Sequence, residues 1–226
     1  MQLETRIDRR RFLRRGALAA GLAWLPDSLL AAVDSLTLTP RQTAGPFFPD
    51  SLPLERDNDL VALQGETVTA RGTVTNVTGR VLDDRGRSIA DALVEIWQCD
   101  ANGRYHHMAD GRAAPLDQGF QGYGRYETSD DGGYRFRTIR PVAYPGRTPH
   151  IHFKISGAGI PALTTQLYVA GEPRNARDPV LNRIRDAAQR AAVIADFVPD
   201  TSGDATLQAR FDIVLAADGR FDARGV

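Results

Sequence analysis

Residues 144–157, YPGRTPHIHFKISG, decide how the chain is read. From His150 onward polar and apolar residues alternate with a period of two. That places His150, His152 and Lys154 on one face of a strand and Ile151, Phe153 and Ile155 on the other. The alternation reads as a half-buried strand. Pro145-Gly146 marks a turn before it, and Gly157 closes the run.

Working outward, residues 66–81 alternate β-formers with polar residues, and residues 83–88 form a turn cluster. Further strands are predicted over 93–98, 133–139, 163–169 and 210–215. One helix is expected in the C-terminal half, with Asp178 as N-cap, Pro179 at its first position and Leu181, Ile184 and Ala188 along one side. Short strands at this spacing with one late helix predict an all-β fold, a β-sandwich. The 226 residues suffice for a substantial core in one domain. With 28 Lys+Arg against 28 Asp+Glu, the charge balance gives no reason to expect nucleic acid or an anionic membrane as partner.

Residues 1–34 read as a leader and residues 35–226 as the folded domain. Arg9-Arg10-Arg11-Phe12-Leu13-Arg14 precedes an apolar run, residues 16–25, too short to span a bilayer comfortably. Its apolar residues are contiguous rather than helically spaced, which argues against an amphipathic surface helix. The segment resembles a twin-arginine export signal and so predicts a periplasmic or secreted protein. The single cysteine, Cys99, excludes an intrachain disulfide and reads as a buried thiol at a strand end.

All four histidines fall in two pairs, His106-His107 and His150-x-His152. An H-x-H on a strand carries two imidazoles on one side, about 7 Å apart at Cα, within reach of one metal ion. Taken alone, the pair is equally well explained by two solvated strand histidines. Tyr144 in the turn and Tyr105 in the loop after residues 93–98 add two phenols, each of which alone reads as a half-buried aromatic. Two phenols beside two imidazoles suit a strongly acidic cation, because a phenol of pKa about 10 binds as phenolate at neutral pH only to such an ion. Ferric iron, its charge balanced by two phenolates and a hydroxide, fits this donor set better than zinc, whose sites are built from Cys, His and carboxylate.

At these motifs the sequence resembles the intradiol ring-cleavage dioxygenases, the family of protocatechuate 3,4-dioxygenase and catechol 1,2-dioxygenase. The resemblance runs through Gln42-Thr43-x-Gly45-Pro46, Gly79-x-Val81-x-Asp83, the ALVEIWQ of residues 92–98 and Asn102-Gly103-Arg104-Tyr105. It continues through Tyr144-Pro145, Arg147-x-Pro149-His150-x-His152 and the LTTQLY of residues 163–168, and so covers most of the chain after the leader. It implies non-haem Fe(3+) held by Tyr105, Tyr144, His150 and His152, with Tyr144 and His152 as the axial pair. It implies a catecholic substrate and O2, with ring opening between the two hydroxyl-bearing carbons to a cis,cis-muconate-type diacid. Tyr144 would leave the metal and take a diol proton, Arg147 would stabilise carbanion character on the ring, and Gln166 would be a polar pocket residue. Thr43, Gly45 and Pro46 would be neighbours of the substrate, and a homo-oligomer is the family's default assembly.

Three departures bear on substrate. The interval from Tyr144 to His150 is shorter than is typical, which trims one pocket wall. No helical N-terminal segment fits between the leader and Gln42, and Phe47 stands where tyrosine is common. His106 and His107 match no ligand role. An exported enzyme of this kind has lignin-derived or other environmental catechols as candidate substrates. Two rivals are a cupin-like metal protein, which would leave both tyrosines unexplained, and a non-catalytic extracytoplasmic transthyretin-like β-sandwich module, which has no need of Tyr-Pro, Arg and H-x-H together.

Overall fold

A computed structural model of the protein describes residues 35–51, 57–65 and 67–217; the expected leader lies outside the described residues. Its strands in chain order are β1 (Val74–Asp83), β2 (Ala92–Trp97), β3 (Tyr123–Glu127), β4 (Gly133–Ile139), β5 (His150–Gly157), β6 (Leu163–Val169), β7 (Ile194–Ala195), β8 (Val198–Pro199), β9 (Leu207–Arg210) and β10 (Ile213–Leu215). They form two sheets. In one, β1 pairs antiparallel with β4 and parallel with β9 and β10, and β8 extends the β9 side. In the other the order is β3-β2-β5-β6-β7, so the H-x-H strand β5 lies in the middle.

The period-two alternation explains how the layers meet. Ile151, Phe153 and Ile155 of β5 are fully buried and pack with Val94 and Ile96 of β2, Leu163 and Leu167 of β6, and Val77, Val81 and Phe136 from the facing sheet. Phe153 seals the two layers edge-on against Phe211, with ring centroids 5.1 Å apart. Each such fully buried side chain contributes roughly 1.5–3 kcal/mol through removal of apolar surface from water. Gly79 on β1 is required by a close approach: a Cβ there would lie 1.8 Å from the Phe211 carbonyl oxygen, to which Tyr134 donates its hydroxyl hydrogen bond.

The all-β sandwich holds, with differences in detail. The strand expected from residue 66 begins at Val74. Residues 67–73 instead bind the long loop after β2, with the Arg71 amide donating to Asp117 at 2.6 Å, and Gly72 takes φ +103, which breaks the extended run. β3, flanked by Gly122, was too short and glycine-rich to be read. The helix expected from Asp178 does not form as a unit. One Asp178 carboxylate oxygen accepts from the Val180 and Leu181 amides and starts a single 3-10 turn, η2 (Leu181–Arg183), while Ile184 returns to extended backbone. The α-helix, α1 (Ala187–Ala192), starts later with Asp186 as its cap. Leu181 and Ile184 are buried as the apolar spacing required, but Ala188 is exposed. The second Asp178 oxygen is drawn elsewhere, to Arg147.

Candidate metal centre and active site

The outer face of β5 carries the site. His152 pairs across the sheet with Trp97 of β2 and Gln166 of β6, and His150 pairs with Tyr168. Trp97 stacks flat on the His152 ring, with centroids 4.7 Å apart and planes 6° from parallel, which fixes the imidazole's orientation. A second apolar cluster of Trp97, Cys99, Tyr105 and Tyr123, with the partly buried Phe47, Phe48 and Tyr144 packed against it, adjoins this face, on which His150 and His152 are buried.

Two loops deliver the phenols. Asp100 folds the first by accepting from the Asn102, Arg104 and Asp117 amides at 2.8–3.0 Å, and the Tyr105 amide is tied to Asp110 at 2.7 Å. Tyr144 opens a tight turn closed by the Arg147 amide donating to the Tyr144 carbonyl at 3.0 Å. The Tyr105 and Tyr144 rings meet edge to face at 5.7 Å, and the Tyr105 hydroxyl lies 3.4 Å from His150 Nε2. The two imidazoles face each other, Nε2 to Nε2, at 3.2 Å.

Protonation follows from the surroundings. His150 Nδ1 lies 2.7 Å from the Thr148 carbonyl; an N–H on Nδ1 donates there and leaves the Nε2 lone pair aimed into the cluster. Burial, then the Arg147 charge, lower the His150 pKa to about 3, with the Thr148 carbonyl opposing. Burial, then His150 and Arg147, hold His152 well below the usual histidine range. Burial pushes Tyr105 well above the usual phenol range, and the neighbouring Cys99 and Tyr144 push the same way. Burial also raises Tyr144, opposed by the Arg147 charge and the Tyr105 hydroxyl.

These four groups therefore converge as neutral donors, and among the described residues His152 Nδ1 is buried without a hydrogen-bond partner. The two Nε2 atoms, 3.2 Å apart, are spaced to share either a proton or a cation. A metal bound at about 2.0–2.2 Å to each donor separates adjacent donors by about 3 Å, close to the spacing seen here. The residues present thus fit a metal ion. The donor set is mixed imidazole and phenol: among the described residues no cluster of three or more His, Cys, Asp or Glu is placed to hold one.

Arg147 sits at the rim of the cluster. Its Nε donates to Asp178 at 2.9 Å, one Nη donates to Gln166 Oε1 at 2.5 Å, and the other lies 3.3 Å from His150 Nε2. Gln166 Oε1 also accepts from the Tyr168 hydroxyl at 3.0 Å, and its Nε2 donates to the Thr43 carbonyl at 2.9 Å. Gln42 completes the chain by donating to the Tyr168 hydroxyl at 2.8 Å. The entrance segment is therefore latched to Arg147 through Gln166. Gly45 lies against the His152 ring, a Cβ there reaching 3.5 Å from Cε1, and its φ of +67 suits glycine.

Of the residues singled out from sequence, Tyr105, Tyr144, His150, His152, Arg147, Gln166, Thr43 and Gly45 come together; Pro46 lies exposed in the turn that follows. His106 and His107 turn elsewhere. His107 Nδ1 accepts from the Ala109 amide at 3.0 Å and its ring meets Phe47 edge-on, while His106 packs against Gly122. Cys99 is buried as expected, its pKa raised by burial to about 12. Sequence reasoning missed Asp178, Tyr168 and Trp97 as supports. It also missed Arg112, whose guanidinium lies 4.5 Å from the centre of the Tyr144 ring and pairs with Asp110. For Asp178 a signal existed, an acid before proline, but it was read as a helix cap.

The β-sandwich thus gathers two imidazoles from β5 and two phenols and an arginine from adjoining loops, a constellation that suits an enzyme site. The match to known proteins agrees. Residues 43–217 match the Dioxygenase family, so the chain belongs to the intradiol dioxygenases. It is 42% identical over 168 residues to the protocatechuate 3,4-dioxygenase beta chain of Burkholderia cepacia, covering 70% of this chain and 71% of that one. It is 30% identical over 204 residues to hydroxyquinol 1,2-dioxygenase of Corynebacterium glutamicum, covering 76% of this chain and 62% of that one. Among solved structures it is similar to the dioxygenase domain of a dioxygenase carbohydrate-binding fusion from Streptomyces sp. SirexAA-E. That similarity has a TM-score of 0.60 at 32% identity, over 80% of this chain and 99% of that one.

Proposed function

We propose that the protein opens the ring of a catecholic aromatic between its two hydroxyl-bearing carbons, using O2 and non-haem ferric iron held by Tyr105, Tyr144, His150 and His152. The observation that carries the reading is the convergence of two imidazole nitrogens and the Tyr105 hydroxyl within 3.2–3.4 Å, with Tyr144 packed beside them. Bound there, ferric iron would supply the Lewis acidity that lowers the pKa of a diol's hydroxyl groups, so that the deprotonated ring is electron-rich toward O2.

The chain's own residues do the rest. Tyr144, the less buried of the two phenols, is the group free to leave and accept a diol proton, whereas Tyr105 is enclosed and tied through its amide to Asp110. His150 and His152, locked by Thr148 and Trp97, stay in place. Arg147 presents a fixed positive charge where carbanion character develops, an electrostatic role that costs no reorganisation because Asp178 and Gln166 already hold the fork. The adjoining aromatic cluster shields the ring from bulk water during cleavage. Relatives named for protocatechuate and for hydroxyquinol support a catecholic substrate. Export by the twin-arginine route belongs to the same reading and is checked by mutating Arg9, Arg10 and Arg11 and locating the protein in cell fractions.

The experiment is the visible spectrum of the purified protein before and after anaerobic addition of catechol. A broad red-brown phenolate-to-iron band that shifts with catechol is expected. A protein that stays colourless after iron reconstitution sinks the proposal and favours a non-catalytic sandwich module.

A further inference from the structure

Beyond the donor cluster, a pocket of about 450 Å³ opens on the far side of the turn that carries Tyr144 and Arg147, lined also by Gly146, Arg174, Arg177 and Asp178. It shares Tyr144 and Arg147, with their supports Thr148 and Asp178, with the candidate active site; Tyr105, His150, His152 and Gln166 do not line it. Gly146 takes φ +84, and a Cβ built there meets nothing within 4 Å, so the rim of the turn is open.

The charges in this pocket are unbalanced. Its one acid, Asp178, is spent on Arg147 and on the Thr148, Val180 and Leu181 amides. Arg147 in turn is spent on Asp178, Gln166 and His150. What remains is the pair on η1 (Pro173–Arg177). In a 3-10 helix residues three apart eclipse, so Arg174 and Arg177 project side by side. Arg174 has only a loose contact with Glu172 at 3.5 Å, and the Arg177 side chain has no hydrogen bond or ion pair among the described residues. Two adjacent guanidinium groups repel unless an anion lies between them, and their planar forks match a carboxylate.

We propose that this pocket binds the carboxylate of a substrate whose diol ring carries the acid on a spacer of two or more carbons, an arylalkanoate. The proposal rests on the ring-cleavage reading for the ring's position. The spacer follows from the lining: of the four donors only Tyr144 borders the pocket, so a ring held at the cluster meets it across the Tyr144–Arg147 turn and its acid needs a spacer to reach Arg174 and Arg177. The aryl end is fixed by the cluster, and the turn from Tyr144 to Arg147 forms the wall the spacer crosses.

The test is calorimetric titration of the iron-loaded protein under argon, so that binding is read without turnover. The probes are 3-(3,4-dihydroxyphenyl)propanoate, its methyl ester, 3,4-dihydroxybenzoate and the methyl ester of that acid. The propanoate should bind about tenfold or more tightly than its ester at low salt. That ratio should fall to about one in R174A/R177A and narrow as salt is raised. Because the ester should bind the variant as tightly as the wild type, a general loss of fold, which weakens acid and ester alike, does not imitate the result. Equal binding of acid and ester by the wild type, or a preference that survives R174A/R177A, overturns the proposal. An equal advantage for the benzoate over its ester, lost in the same variant, overturns the spacer. If the acid is preferred but admitting oxygen never opens the ring, the pocket stands and the ring-cleavage reading falls.

Discussion

Asp178→Asn tests how the site is held together. The Asp178 side chain is inaccessible to solvent, and its partner Arg147 is 12% exposed. One carboxylate oxygen takes the Arg147 Nε–H and the Thr148 amide, both at 2.9 Å; the other takes the Val180 and Leu181 amides at 3.0 and 2.9 Å. Asparagine keeps the volume but offers one acceptor and one donor group. In either amide orientation, one pair of inward-pointing N–H groups meets another donor. Removing one partner of a buried ion pair costs about 3–5 kcal/mol, and that is the expected loss here. The loss should also reach the metal: Thr148 is held by Asp178 through its amide, and its carbonyl holds His150. Urea unfolding of both iron-free proteins measures the first effect, and iron retained after dialysis measures the second. A stability loss under about 1 kcal/mol with full iron retention would refute the argument that Asp178 organises Arg147 and His150.

Tyr144→Phe should fold and bind iron yet slow catechol chelation about 100-fold, as loss of a general base does; stopped-flow mixing under argon measures it, and unchanged binding rates would remove the leaving-base role. Arg147→Lys keeps the charge but cannot span Asp178, Gln166 and the His150 side at once, so kcat/KM should fall about 100-fold, and wild-type turnover would contradict the assigned role. For the iron-free protein the pH dependence has a definite sign. His150 has a pKa of about 3 when folded and near the ordinary 6.5 when unfolded, so the unfolded chain binds the proton first. Stability is then intact above the ordinary value and lost as pH falls toward 3, by about 1.4 kcal/mol per pH unit for each buried imidazole. Iron bound as proposed should steepen the dependence in thermal melts, because the folded state then also lacks the two phenol protons that the unfolded chain keeps; identical profiles with and without iron would contradict ligation by Tyr105 and Tyr144. Gly79→Ala, which brings a methyl within 1.8 Å of the Phe211 carbonyl, should cost about 3 kcal/mol or more in a urea titration; a neutral change would mean that β1 and the Phe211 segment do not approach as described.

The strand carrying His150 and His152 was legible because its alternation is strict, and the same alternation put Phe153 in the core and the imidazoles opposite. The candidate donors drew notice because all four histidines fall in two pairs and two tyrosines lie in loop and turn positions, and the family resemblance then singled out four of them. Asp178 was misjudged because an acid before proline satisfies local capping rules, whereas its second oxygen answers to Arg147, 31 positions away. Tyr168 and Trp97 sit in ordinary β-sequence, where nothing local distinguishes a site support from a core aromatic.

The sequence by itself determined the periodicities and the inventory of chemical groups, since both depend only on nearest neighbours and residue type. From these came the sandwich, the outward face of β5 and the expectation of a strongly acidic cation. The tertiary structure decided which loops close over that face, bringing Tyr105 to within 3.4 Å of a histidine 45 positions away. It also decided that the η1 arginines face a pocket beside the Tyr144 turn. Such proximities are set by sheet register and loop closure, which sum many small long-range contacts, and no local pattern in the chain records their total.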